Sequence, residues 1–170
     1  MALVQLSLGS NIGRRGYHLS LAAARLALAH GVELLRLSPV YETAPWGDTE
    51  QSAFYNMAAS IRCALSPPRL LALAKSIEVD LGRRATRHWG PRVIDIDIIL
   101  FEGVAMRDAT LTLPHPHASE RQFVLVPLHS IAPEAQLAPG VSVSQLARQD
   151  DPAVWFIGSL HQVLERERRG

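Results

Sequence analysis

The stretch Val93-Ile94-Asp95-Ile96-Asp97-Ile98-Ile99-Leu100-Phe101 decides how this chain is read. Apart from two aspartates its residues are β-branched or apolar, so it reads as a strand interior. Aspartate is disfavoured there. Two of them, two residues apart, point to the same face of the strand, with Cα atoms roughly 6–7 Å apart. Carboxylates so placed can converge on one or two hard cations. Magnesium wants oxygen ligands and keeps waters and substrate phosphates as the rest. The plainer reading is a solvated strand face with two surface acids. The upstream segment weighs against it: Arg83, Arg84, Arg87 and Arg92, with His88 and Trp89 among them and no acid. Arginine binds phosphate through a planar fork of donors. Beside paired aspartates, this run reads as an anion-binding loop.

Working outward, Ser66-Pro67 predicts a helix start, with serine as N-cap and proline in the first turn. Leu70, Leu71, Ala74, Ile77 and Leu81 give its buried stripe, and Gly82 ends it. Ala2 to Leu8 reads as a strand and Gly9 to Gly13 as a turn. A helix marked by Leu19, Ala22, Ala23 and Leu26 ends near Gly31. Val32 to Tyr41 is extended with a break at Pro39, and Phe54 to Arg62 is another strand. After the aspartate strand come a short segment, Val104 to Arg107, and the extended Leu111-Thr112-Leu113. Ser119 and Gln122 match a capping box for a helix over Phe123 to Leu128, with Pro127 ending or kinking it. Val154 to Arg168 reads as a polar helix. The order is βαββαβ: an α+β, ferredoxin-like core with an antiparallel sheet, helices packed on it, and a C-terminal hairpin and helical segments. Residues 1–170 read as a single domain, with 150–170 a C-terminal extension of unassigned role.

Composition narrows the function classes. With 48% apolar residues the 170-residue chain is globular and has a real core. No apolar run reaches the roughly 18–20 residues of a membrane span, and no secretory signal is read at the N-terminus. The lone cysteine, Cys63, rules out an internal disulfide and fits a reducing, cytoplasmic setting. Lys75 is the only lysine; the other basic residues of the 17 are arginines.

There is no G-x-x-x-x-G-K-[ST], so the chain is not a P-loop enzyme. Paired carboxylates with Mg²⁺ and arginines suit phosphoryl or nucleotidyl transfer. His115 and His117 lack a third zinc ligand at suitable spacing, so His115 is read as a donor to phosphate. Asn56 near Phe54 could set an amide beside a stacking ring, and Glu78 reads either as functional or as a solvated helix position. Two other classes use part of this pattern. A palm-like nucleotidyltransferase leaves an aromatic slot unexplained. A ferredoxin-like RNA-binding module needs aromatic stacking residues that this sheet lacks.

Several segments then match in order: Leu8-Gly9-Ser10-Asn11, Tyr41-Glu42-Thr43-Ala44-Pro45, Phe54-Tyr55-Asn56, Glu78 with Gly82-Arg83, Trp89-Gly90-Pro91-Arg92 with Asp95-Ile96-Asp97, and Pro114-His115-Pro116 with Arg121 and Phe123. Over roughly residues 3 to 135 the chain resembles the 6-hydroxymethyl-7,8-dihydropterin pyrophosphokinases of folate biosynthesis. The resemblance implies transfer of diphosphate from ATP to the pterin hydroxymethyl group, with release of AMP. It implies that Asp95 and Asp97 hold two Mg²⁺ and that Arg83 and Arg92 contact the migrating phosphates, with Arg84 beside them. His115 and Arg121 would meet the nucleotide, while Glu78, Ile98 and Thr112 would help hold adenosine. Thr43, Trp46, Phe54, Asn56 and Phe123 would line a pterin slot, and Trp89 would close over it. The expected partners are ATP and a pterin, with no nucleic acid or membrane, acting on a monomer. The chain departs from the family pattern at Trp46, Lys75 and Pro116, in a shorter Arg83-to-Trp89 loop, and in its extension after about residue 150.

Overall fold

A computed structural model describes residues 1–45, 51–84 and 90–170; Trp46 and Trp89 lie outside the described residues. The main elements are β1 (Ala2–Ser10), α1 (Arg15–Leu28), β2 (Val32–Leu37), β3 (Val40–Thr43), β4 (Phe54–Cys63), α2 (Pro67–Asp80) and β5 (Asp95–Phe101). Then follow β6 (Met106–Arg107), β7 (Thr112–Leu113), α3 (Gln122–His129), β8 (Gln136–Ala138), β9 (Val141–Ser142), α4 (Val143–Leu146), β10 (Val154–Gly158) and α5 (Leu160–Arg169). The sheet runs β10-β3-β4-β1-β5, with β2 also on β4. The central pairs, β4 with β1 and β1 with β5, are antiparallel. β2 and β3 act as one strand broken at Ser38-Pro39, which gives the βαββαβ order of a ferredoxin-like core. Pro39 has no N–H to give the ladder. Ser38 bridges the break, its N–H reaching the Ala58 carbonyl at 2.9 Å while its hydroxyl accepts the Ala58 N–H at 2.8 Å.

Alternation sorts the side chains. Val4, Leu6 and Leu8 of β1, Ile61 of β4 and Ile96 of β5 face α1 and α2 in one buried cluster. A second cluster on the other face joins Ala58 and Ile99 to Val124, Leu125 and Leu128 of α3. That second face is only partly covered by α3, and its uncovered part carries Ser7, Gly9, Asn56, Asp95 and Asp97.

Some local expectations are corrected. Gly9 and Ser10 are strand, since both pair with β4; the turn begins at Asn11. Ser66 is the N-cap of α2, but its side chain makes no capping bond. The Ser119–Gln122 box is not formed. Ala118–Glu120 make a single 3-10 turn, Arg121 is extended, and α3 starts at Gln122 with no side-chain cap. Val154 to Gly158 is a strand, not the start of a helix. Its run of β-branched and aromatic residues fits the free edge of β3. The helix begins only after Ser159, where a true capping box with Gln162 forms.

Candidate functional site

Register on the sheet brings the site together. Gly9 stands opposite Asp95 on one side and Asn56 on the other, and Ser7 opposite Asp97. Gly9 has to be small, because a Cβ there would lie 2.7 Å from the Asn56 side-chain oxygen. The Asn56 amide donates to the Thr43 hydroxyl at 2.7 Å, so both buried polar groups are engaged. Asp95, Asp97, Arg92 and Arg121 line the same cavity as Thr43, Phe54, Asn56 and Phe123. Counted to its open mouth, open solvent included, it holds about 600 Å³.

At the charged end, Asp95 accepts from Arg83 at 2.5 Å and from Arg92, and the Lys75 ammonium lies 4.0 Å away. Behind it Glu78, only 1% exposed, joins α2 to β5. One of its oxygens accepts the Ile96 N–H at 2.7 Å and Lys75 at 2.9 Å, and the other meets Arg83 at 2.5 Å. Glu78 is therefore not on a solvated helix face. Burial opposes ionisation of Asp95, yet Arg92, Arg83 and Lys75 outweigh it and hold its pKa below the usual carboxylate value. Asp97 goes the other way. Burial, and then the charge of Asp95, push its pKa up to about 6.

Arg121 is buried at the cavity wall, with its guanidinium carbon 5.7 Å from the centre of the Phe123 ring. Burial lowers its pKa despite the nearby Asp97 and Asp95. His115 sits beside it. Burial, then Arg121 and His117, lower its pKa to about 4, so the ring is neutral at pH 7. Its Nδ1 accepts the His117 N–H at 3.3 Å, which leaves the ring proton on Nε2 as a donor.

Not every expected residue reaches the cavity. The Ile98 side chain is buried in the cluster under α1 and α2, and Thr112 lies on the β6–β7 hairpin, opposite Arg107. Arg84 is exposed. Conversely, Asn11 was missed. Its backbone N–H reaches the Arg92 carbonyl at 3.1 Å, and its side-chain oxygen accepts the Arg92 N–H at 2.7 Å. Its amide nitrogen donates to Gln51 at 2.9 Å and to the Ser52 carbonyl at 3.3 Å. One buried amide thus ties the segments on both sides of the cavity. An asparagine after a strand signals a turn, and nothing local says that two distant loops meet on it.

The two carboxylates suit Mg²⁺. Asp97 is desolvated beside a second acid, a repulsion that a divalent cation would relieve. Among the described residues no group of three or more His, Cys, Asp or Glu could enclose a metal, so a cation here would keep positions for waters and phosphates.

A ferredoxin-like sheet with paired acids among arginines, in a cavity also lined by two phenylalanines, suits a transferase of phosphate-bearing groups. Residues 5–133 match the family 7,8-dihydro-6-hydroxymethylpterin-pyrophosphokinase (HPPK), and the chain belongs to it. The 2-amino-4-hydroxy-6-hydroxymethyldihydropteridine pyrophosphokinase of Methylorubrum extorquens is 44% identical over 153 residues, covering 90% of this chain and 96% of that one. The protein of the same name from Bacillus subtilis is 41% identical over 134 residues, 79% of this chain and 80% of its own. Among solved structures, wild-type HPPK-DHPS of Plasmodium falciparum with pteroate superposes with a TM-score of 0.66 at 15% identity over 85% of this chain. The match spans only 43% of that longer chain, and the likeness is one of fold.

Proposed function

We propose that the protein transfers diphosphate from ATP to the hydroxymethyl group of 6-hydroxymethyl-7,8-dihydropterin, in folate biosynthesis, with the two ends of the cavity dividing the work. One observation carries this reading. A single cavity is lined by acids and arginines on the β5 side of β1 and by Phe54 and Asn56 on the β4 side, with Phe123 beside Arg121. A flat, polar heterocycle suits the neutral end, with Phe54 and Phe123 offering faces and Asn56 and Thr43 edge contacts. Trp46 and Trp89 belong to the same slot by family resemblance.

At the charged end Arg92, Arg83 and Arg121 neutralise the migrating phosphates, and the neutral His115 donates through Nε2. Glu78 supports the nucleotide side by fixing Lys75 and Arg83; Arg84, Ile98 and Thr112, which do not line the cavity, belong to that side by family resemblance alone. Asp95 and Asp97 would hold two Mg²⁺, which when bound supply charge stabilisation at the phosphates. The pterin oxygen forms a bond to the β-phosphorus and gives up its proton. The bond from that phosphorus to the α,β-bridging oxygen breaks, and AMP leaves. The protein acts as a cytoplasmic monomer on small molecules. A free, buried Cys63 supports a reducing setting, and no helix among the described residues is long and apolar enough to cross a membrane.

Asp95→Ala and Asp97→Ala test the metal assignment. Each should stay folded and lose turnover by on the order of 10³ or more, the worth of several kcal/mol of charge stabilisation. Near-normal turnover at saturating Mg²⁺ would refute it.

A further inference from the structure

The C-terminal β10–α5 unit meets the rest of the protein behind the neutral end of the cavity. On β3, Val154 stands opposite Thr43 and Trp155 opposite Glu42. The Ala44 N–H also reaches the Ala153 carbonyl at 3.4 Å. α5 packs on α1, where the Glu167 carboxylate accepts the N–H groups of Gly16 at 2.7 Å and Tyr17 at 3.0 Å. These are first-turn donors with no partner inside the helix. Arg14, at the N-cap position, makes no side-chain capping bond. A carboxylate there also complements the helix dipole. Gly16 permits the close approach: a Cβ would lie 2.6 Å from Val163 Cγ1 and 3.1 Å from Glu167 Oε1.

The same turn carries Arg15. Its guanidinium donates to the Ala53 carbonyl at 2.7 Å, lies 3.5 Å from Glu42, and covers the Tyr55 ring at 3.6 Å. Ala53 leads directly into Phe54. Arg15 therefore grips the start of β4, from which Phe54 and Asn56 line the cavity.

We infer that Glu167 is a positioning residue for the pterin: by capping α1 it fixes Arg15, and Arg15 fixes the residues that face the substrate. β10 supports the same end through Thr43. The charged end is held by Glu78, and Asn11 ties it to the segment before β4. The inference rests on the neutral end being the pterin end.

The test uses the full chain. Calorimetry measures 6-hydroxymethyl-7,8-dihydropterin binding in the presence of a non-hydrolysable ATP analogue and Mg²⁺, and analogue binding alone. Glu167→Ala should weaken pterin binding about fivefold, a displacement effect, and leave nucleotide affinity within about twofold. Glu167→Gln keeps an acceptor oxygen and should recover most of the loss. Gly16→Ala should reproduce the loss, although alanine otherwise favours helix; it decides the matter if Glu167→Ala does not fold. Phe123→Ala tests the underlying site reading separately. If it leaves pterin binding intact, that reading fails and the inference with it. If it weakens pterin binding while Gly16→Ala and Glu167→Ala do not, or weaken both ligands alike, the positioning role is wrong.

Discussion

One cavity is lined both by Asp95, Asp97, Arg92 and Arg121 and by Thr43, Phe54, Asn56 and Phe123; β1 separates the aspartates on β5 from Phe54 and Asn56 on β4, a charged and a neutral side that meet where Arg121 approaches the Phe123 ring. The neutral end satisfies its polar groups internally, through the bond from Asn56 to Thr43. At the charged end Asp95 is held by ions of the same site. The arginines that hold Asp95 are the donors a phosphate would need. On the proposed reading pterin would meet a prepared surface, whereas ATP and its cations would have to exchange partners. Disturbing the first should change affinity for one ligand. Disturbing the second should change stability and chemistry.

The largest effect short of removing the aspartates should come from Glu78→Ala. It strips a buried carboxylate from Lys75 and Arg83 and leaves the Ile96 N–H without its acceptor. Losing one partner of a buried ion pair costs roughly 3–5 kcal/mol. Lys75 is about half exposed here and Arg83 keeps Asp95, so about 2 kcal/mol is expected after that discount. In a chain of this length that lowers Tm by roughly 4–8 °C, measurable by calorimetry. An unchanged Tm would mean that the charged end does not depend on Glu78.

Next comes Phe123→Ala. An aromatic face against a flat heterocycle is worth roughly 0.5–1.5 kcal/mol beyond its buried area. Pterin binding should weaken about tenfold or more, with little change for the nucleotide. Equal weakening of both ligands would erase the distinction between the ends.

A separate effect concerns pH. His115 has its folded pKa lowered to about 4, from an ordinary 6.5. Between those values the unfolded chain binds the proton and the folded chain does not, so stability falls as pH drops through that window. NMR of the ring should give a midpoint near 4. A midpoint near 6.5 would place His115 in open solvent and remove it from the phosphate wall.

The legible parts of this fold were those where local pattern and tertiary demand agree. The aspartate strand stood out because ionisable groups contradict its apolar surroundings, and the structure sets those groups in the cavity wall. Pro39 marked the break between β2 and β3 because a missing donor has the same consequence in any sheet. Capping motifs were ambiguous. Ser119–Gln122 and Ser159–Gln162 share a spacing, but only the second forms a box, since Ala118–Glu120 had already turned the chain. The strand at Val154 was hidden because its reason to be extended is the free edge of β3, more than 100 residues earlier. Asn11 and Glu167 were illegible as site-builders for the same cause, and Glu78 was legible only through the family resemblance. Each acts on a segment brought near only by folding, 81, 151 and 18 residues away.

The most direct measurement is product analysis from one incubation with ATP, Mg²⁺ and 6-hydroxymethyl-7,8-dihydropterin. Attack at the β-phosphorus makes AMP the departing group, whereas γ-attack would yield ADP and α-attack pyrophosphate. The account predicts one AMP and one pterin diphosphate per turnover, and no AMP without pterin. Stoichiometric ADP or pyrophosphate, or no pterin-dependent turnover of ATP, would contradict it.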